Sequence, residues 1–125
     1  MIQSFKDLTV WQKSFSLVSE VYKLTEQLPK EEIFGLSSQI RRCAVSIPSN
    51  IAEGQQRNNS REYRQFLGIA KGSCAELETQ LLLTSAIYNV NTNHIASELQ
   101  EVQKMLQAIL NKLSTSTSPL STGVK

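Results

Sequence analysis

The sequence predicts an all-α protein, an up-down-up-down bundle of four helices. Apolar residues recur at spacings of three and four in four successive stretches, which is the helical period. The breaks between those stretches fall at Pro29, at Gly54 to Asn59 and at Asn89 to Asn93, where proline, glycine, glutamine and asparagine gather. Aromatic residues make up only 6 % of the chain against 40 % hydrophobic, so the core material is mostly Leu, Ile, Val and Ala. That mix suits helix-on-helix packing better than a β-sandwich.

Residues 8–28 form the first helix. Leu8, Trp11, Phe15, Val18 and Tyr22 make one stripe, and Leu17, Val21, Leu24 and Leu28 make a second on the adjoining face. A bundle interior needs one broad face, so the surplus predicts self-association. Asp7 or Thr9 is suited to cap the start, and Pro29 stops the helix.

The second helix begins near Lys30 and buries Leu36, Ile40, Cys43 or Ala44, Ile47 and Ile51. Pro48 lies inside this register. It lacks a donor and crowds the carbonyl of Ala44, so a kink is expected there, with two shorter helices as the alternative. Ser46 and Asn50 flank the bend and are placed to satisfy the freed carbonyl.

The third helix opens at Ser60 and follows Tyr63, Phe66 or Leu67, Ala70, Leu77, Leu81, Thr84 and Tyr88. It spans about 43 Å at 1.5 Å per residue. Gly68 and Gly72 interrupt one flank with tiny side chains. Each costs about 1 kcal/mol relative to Ala inside a helix, so a close helix approach is expected to offset it. The fourth helix carries Ile95, Leu99, Val102, Leu106, Ile109 and Leu113 in a 4-3-4-3-4 seam. Residues 1–113 thus form the bundle, and 114–125 (STSTSPLSTGVK) read as a disordered tail.

Catalytic chemistry finds no support. His94 is the only histidine, with no cysteine beside it, and a surface position explains it better than a metal or a base role. The carboxylates Glu53, Glu62, Glu76 and Glu78 do not converge at their spacings, and no Glu-x-x-His pair exists for a di-iron site. Gly68 to Ser73 is not a phosphate loop, because Lys71 precedes Gly72 and the context is helical. Cys43 and Cys74 suit burial as small apolar residues. An enzyme is not expected, and no cofactor. Neither a signal-like leader nor an apolar run of about 18 residues is present, so the expected compartment is the cytoplasm.

The formal charge of +2 is small, but its distribution is uneven. All five arginines, Arg41, Arg42, Arg57, Arg61 and Arg64, fall within one window opposed only by Glu53 and Glu62. Helix two separates the first pair from Arg57 by about 24 Å, so they lie towards different ends. The arginines serve either salt bridges or phosphate oxygens, for which the guanidinium fork is well shaped.

Several stretches share one pattern: Phe5-x-Asp-Leu-x-Val-Trp11, Gly35-Leu-Ser-Ser-Gln-Ile-Arg-Arg42, Ser46-Ile-Pro-Ser-Asn-Ile-Ala-Glu-Gly54, and Phe66-Leu-x-Ile-Ala-x-Gly-Ser73 with Glu76-Leu-Glu78. Over about residues 5–113 the chain resembles the four-helix bundle proteins encoded by intervening sequences of bacterial 23S rRNA genes. Cys43 and Cys74 stand where that family's pattern suggests alanine or leucine. The resemblance implies a homopentamer. It extends to the accessory protein of diversity-generating retroelements, a more basic pentamer that binds nucleic acid and a reverse transcriptase. The expected function is a homo-oligomer that binds structured RNA or another nucleic acid, with Arg41, Arg42, Arg57, Arg61, Arg64 and Lys71 on phosphates. The alternative is a protein–protein scaffold module whose apolar faces dock a partner.

Overall fold

A computed structural model describes residues 4–117. Four helices follow in order: α1 (Thr9–Thr25), α2 (Leu36–Gln55), α3 (Ser60–Tyr88) and α4 (Asn93–Thr117), with short 3-10 turns at Phe5–Asp7 and Lys30–Glu32. No strand occurs among the described residues. Each helix packs against the helix that follows it in sequence, and α4 closes the ring onto α1. Ion pairs fix the antiparallel sense: Lys13 meets Glu98 and Glu101, while Glu20, a turn or more further along α1, faces His94. The fold is therefore the expected all-α four-helix bundle.

Local chemistry explains where the helices begin and end. The cap of α1 falls on Leu8, without a side-chain bond, rather than on Asp7 or Thr9. The preceding 3-10 turn uses Ser4 instead, whose Oγ accepts from the Lys6 amide at 3.1 Å. The α1 helix ends at Thr25, ahead of Pro29, and Lys30–Glu32 is a 3-10 turn rather than the start of α2. Glu32 then reaches forward to cap α2, accepting from the Leu36 amide at 2.9 Å. Asn59 caps α3 by accepting from the Glu62 amide at 2.8 Å. Asn89 ends α3 in the left-handed region (φ 58°), which asparagine tolerates better than most residues.

The α2 helix runs without a break through Pro48, so the register is one helix and not two. Asn50 supports this stretch differently from expectation. Its Nδ2 donates to the carbonyl of Ser46 at 2.8 Å, not to the Ala44 carbonyl that the proline deprives. Ser46 in turn bonds Ser73 of α3 through the two hydroxyls.

The core is a single cluster. It holds Leu17, Val21 and Leu24 of α1 and Ile40, Ala44, Ile47 and Ile51 of α2. From α3 come Leu67, Ala70, Cys74, Leu77 and Leu81, and from α4 Ile95, Leu99, Val102 and Leu106. Ile109 and Leu113 complete the α4 seam at its edge. Helix α4 extends to Thr117, four residues past the expected boundary at 113, and 118–125 lie outside the described residues.

One packing expectation fails. No atom lies within 4 Å of a Cβ built on Gly68 or Gly72, so no helix of this chain approaches them. The reason is rotational: the buried residues of α3 (Leu67, Ala70, Ser73, Cys74, Leu77, Leu81, Thr84) occupy the opposite side of the helix. The close approach occurs at Gly54 instead. A Cβ there would sit 2.8 Å from Phe66 Cβ and 3.3 Å from the Tyr63 carbonyl oxygen.

Candidate nucleic-acid interface

The six basic residues do not form one patch. Arg41 is half-buried at the end where α1 finishes and α2 starts. Its guanidinium stands 4.4 Å over the Tyr22 ring, and its Nε donates to Thr25 Oγ1 at 2.7 Å. A cation at a helix C-terminus complements the orphan carbonyls there, so Arg41 clamps α1 to α2. Arg42, next in sequence, shares with Arg41 a hollow of about 600 Å³ against Tyr22, Thr25 and Lys30. It is exposed and borders a polar hollow of about 490 Å³ between α2 and α3, with Ser38, Gln39, Ser46, Glu76 and Gln80.

The other arginines gather at the far end, around the α2–α3 turn. Arg57 pairs with Glu53 at 2.7 Å, an i,i+4 bridge, and its guanidinium lies 4.7 Å over the Phe66 ring. Gly54 makes this possible, because a side chain there would push Phe66 away from α2. Arg61 is exposed in the first turn of α3 and makes no hydrogen bond or ion pair with the described residues; Arg64 is half-buried one turn on. Lys71 lies about 15 Å further along α3 than Arg61, at 1.5 Å per residue. Sequence reasoning missed Glu53, Gly54 and Phe66 as supports of Arg57. The i,i+4 spacing of Glu53 and Arg57 was the available signal for the first of them.

Beside the turn lies an open hollow of about 420 Å³ lined by Phe5, Ala52, Glu53, Gln56 and Arg57. It continues into a longer apolar groove between the outer faces of α1 and α2. Trp11, Phe15, Val18, Tyr22, Val45 and Pro48 line that groove. Phe15 stacks on Trp11 at 4.9 Å yet keeps 59 % of its surface exposed. The two stripes of α1 are thereby separated: Leu17, Val21 and Leu24 enter the core, and Trp11, Phe15, Val18 and Tyr22 face this groove.

The remaining reactive groups are held in quiet settings. Burial, with Glu76 nearby, pushes the Cys43 thiol up to about 11, and burial pushes Cys74 up to about 12. Both thiols stay protonated at neutral pH and are poor nucleophiles. His94 is exposed with its Nε2 3.2 Å from Glu20 Oε1. Among the described residues, no three His, Cys, Asp or Glu gather as metal ligands, and no helix is long and apolar enough to cross a membrane.

Comparison with known proteins agrees with this architecture. The chain is similar to a solved protein of unknown function from the S23 ribosomal protein family of Bacteroides thetaiotaomicron. The two share 26 % identity and a TM-score of 0.73, over 82 % of this chain and 98 % of that one. No curated protein matches the sequence. Residues 6–108 match the 23S rRNA-intervening sequence protein family, and the chain belongs to that family.

Proposed function

We propose that this protein is a non-enzymatic, cytoplasmic homo-oligomer, pentameric as in the resemblance drawn above, that binds structured RNA or another nucleic acid. The observation that carries the reading is the arginine-bearing turn between α2 and α3. Arg57 and Arg61 are exposed there among Gln56, Asn58 and Asn59, and no acid pairs with Arg61 among the described residues. Arg42 and Lys71 would add separate basic contacts away from that turn, whereas Arg41 is engaged by Tyr22 and Thr25 and contributes least. Several copies of such a turn on one assembly multiply a weak contact through effective concentration.

A second reading, a protein-docking scaffold without nucleic acid, is favoured by the apolar groove of α1 and α2. Salt separates the two. Phosphate contacts weaken steeply between about 50 and 200 mM salt, and apolar docking does not. Gel-shift titrations of the parent and of Arg57→Ala/Arg61→Ala/Arg64→Ala at two salt concentrations test the proposal. The parent should bind, with the triple variant weaker and its salt slope shallower by up to about two units, since Glu53 already neutralises Arg57. A parent that binds no RNA or DNA even at low salt removes the nucleic-acid reading.

A further inference from the structure

Resting on the nucleic-acid reading, we infer that the hollow at the α2–α3 turn is a pocket for one unpaired nucleobase. The assembly therefore prefers single-stranded segments or loops to duplex.

The groups around the hollow make the case. Arg57 is not a free phosphate ligand, because Glu53 already neutralises it at 2.7 Å. That bridge and the Phe66 ring, 4.7 Å from the guanidinium carbon, instead tether the guanidinium at two points. The Arg57 side chain remains 39 % exposed, and the hollow that it lines does not include Phe66. A planar, weakly hydrated cation fixed in this way is a stacking surface for a base. Phe5 supplies an aromatic wall to the same hollow, itself braced edge-on by Trp11 at 5.2 Å. Gln56, whose Nε2 lies 3.4 Å from Gln55 Oε1, still offers its amide oxygen and a second N–H, and Glu53 offers the oxygen that Arg57 does not take, matching the edge of a base. Arg61, four residues on from Arg57, is left to meet the phosphate.

This set suits an unpaired base and gives nothing to a duplex. Bases in a helix are stacked on each other and present only their groove edges, so neither Phe5 nor Arg57 could reach a base face. A binder using phosphates alone would show the reverse preference, since a duplex carries the denser charge.

The test uses the full chain and one RNA of about 16 nucleotides, single-stranded or annealed to its complement. Affinity is measured for the parent, Arg57→Lys, Phe5→Leu and Arg61→Ala at two salt concentrations. The parent should favour the single strand about tenfold or more. Arg57→Lys keeps the charge but loses the plane, and Phe5→Leu loses the ring. Each should lower single-strand affinity about fivefold to tenfold with the salt slope unchanged. Arg61→Ala should weaken both RNAs and reduce the slope by about one unit. Circular dichroism melts establish that each variant is folded. Equal parent affinity for the two RNAs, or an Arg57→Lys loss shared equally by the duplex, overturns the pocket while leaving the nucleic-acid reading standing. Absence of all binding removes that reading itself.

Discussion

The carboxylate of Glu32 accepts a hydrogen bond from the hydroxyl of Tyr88, joining the loop before α2 to the last turn of α3. The same carboxylate caps α2 through the Leu36 amide. One acidic residue therefore ties the start of one helix to the end of another. Both bonds favour the charged form, so the Tyr88 contact first and the Leu36 amide second hold Glu32 below its ordinary 4.5. A carboxylate with a depressed pKa in the folded state contributes stability that is complete above its unfolded value. That contribution is lost as pH falls through the folded value. Urea unfolding should show Glu32→Gln less stable than the parent at pH 7, with the difference shrinking as pH falls below 4.5. Parallel curves across that range would mean the carboxylate contributes nothing through its charge.

Gly54 and Phe66 set the spacing of α2 and α3 at the end that bears Arg57. Alanine is the better helix former, so propensity alone predicts that Gly54→Ala stabilises the protein. The geometry predicts the opposite sign. The new Cβ meets Phe66 Cβ at 2.8 Å and a backbone oxygen at 3.3 Å, and backbone gives way poorly. Overpacking of this kind costs about 1–3 kcal/mol, which exceeds the propensity gain. Chemical denaturation of the single variant reads the sign directly.

Gly72 is the converse. With nothing within 4 Å of its added Cβ, Gly72→Ala should raise stability by about 0.5–1 kcal/mol through helix propensity. Denaturation of the variant at micromolar concentration, with its mass followed alongside, tests this. A destabilised variant whose mass also falls would place a neighbouring subunit against that flank of α3.

Much of this was legible in the sequence, and the failures have physical causes. The apolar register gave α3 from Ser60 to Tyr88 and the buried seam of α4, because a 3.6-residue period declares one face. It also carried α2 through Pro48, since Ile40, Ala44, Ile47 and Ile51 stay in phase on both sides. It could not say which glycine receives a neighbour. Gly54 and Gly72 look alike in sequence, and only the rotation of each helix relative to its partners distinguishes them. Nor could the arginine window be divided in advance. Arg41 and Arg42 are adjacent, yet only Arg41 is engaged by Tyr22 and Thr25, while Arg42, about 100° round the helix, stays exposed and borders hollows on both sides of α2.

The aromatic groove carries the last prediction. Phe15 belongs to the outer stripe of α1, stacked on Trp11 and 59 % exposed, with Tyr22 and Val45 also open along the same groove. A charge placed there should leave the subunit folded, because Leu17, Val21 and Leu24 supply the buried face of α1 without it. If copies of the chain meet through this groove, Phe15→Glu must bring a desolvated carboxylate into an apolar contact, which is unfavourable by several kcal/mol unless it is paired. Association should fail while helicity persists. Light scattering of the parent should give a multiple of 14.0 kDa, and the variant should fall towards a single 14.0 kDa subunit with an unchanged far-ultraviolet dichroism spectrum. A variant that keeps the parent's mass would exclude the groove as the contact. The exposed flank of α3, with Leu82, Leu83 and Ile87, would then be the apolar surface to mutate next.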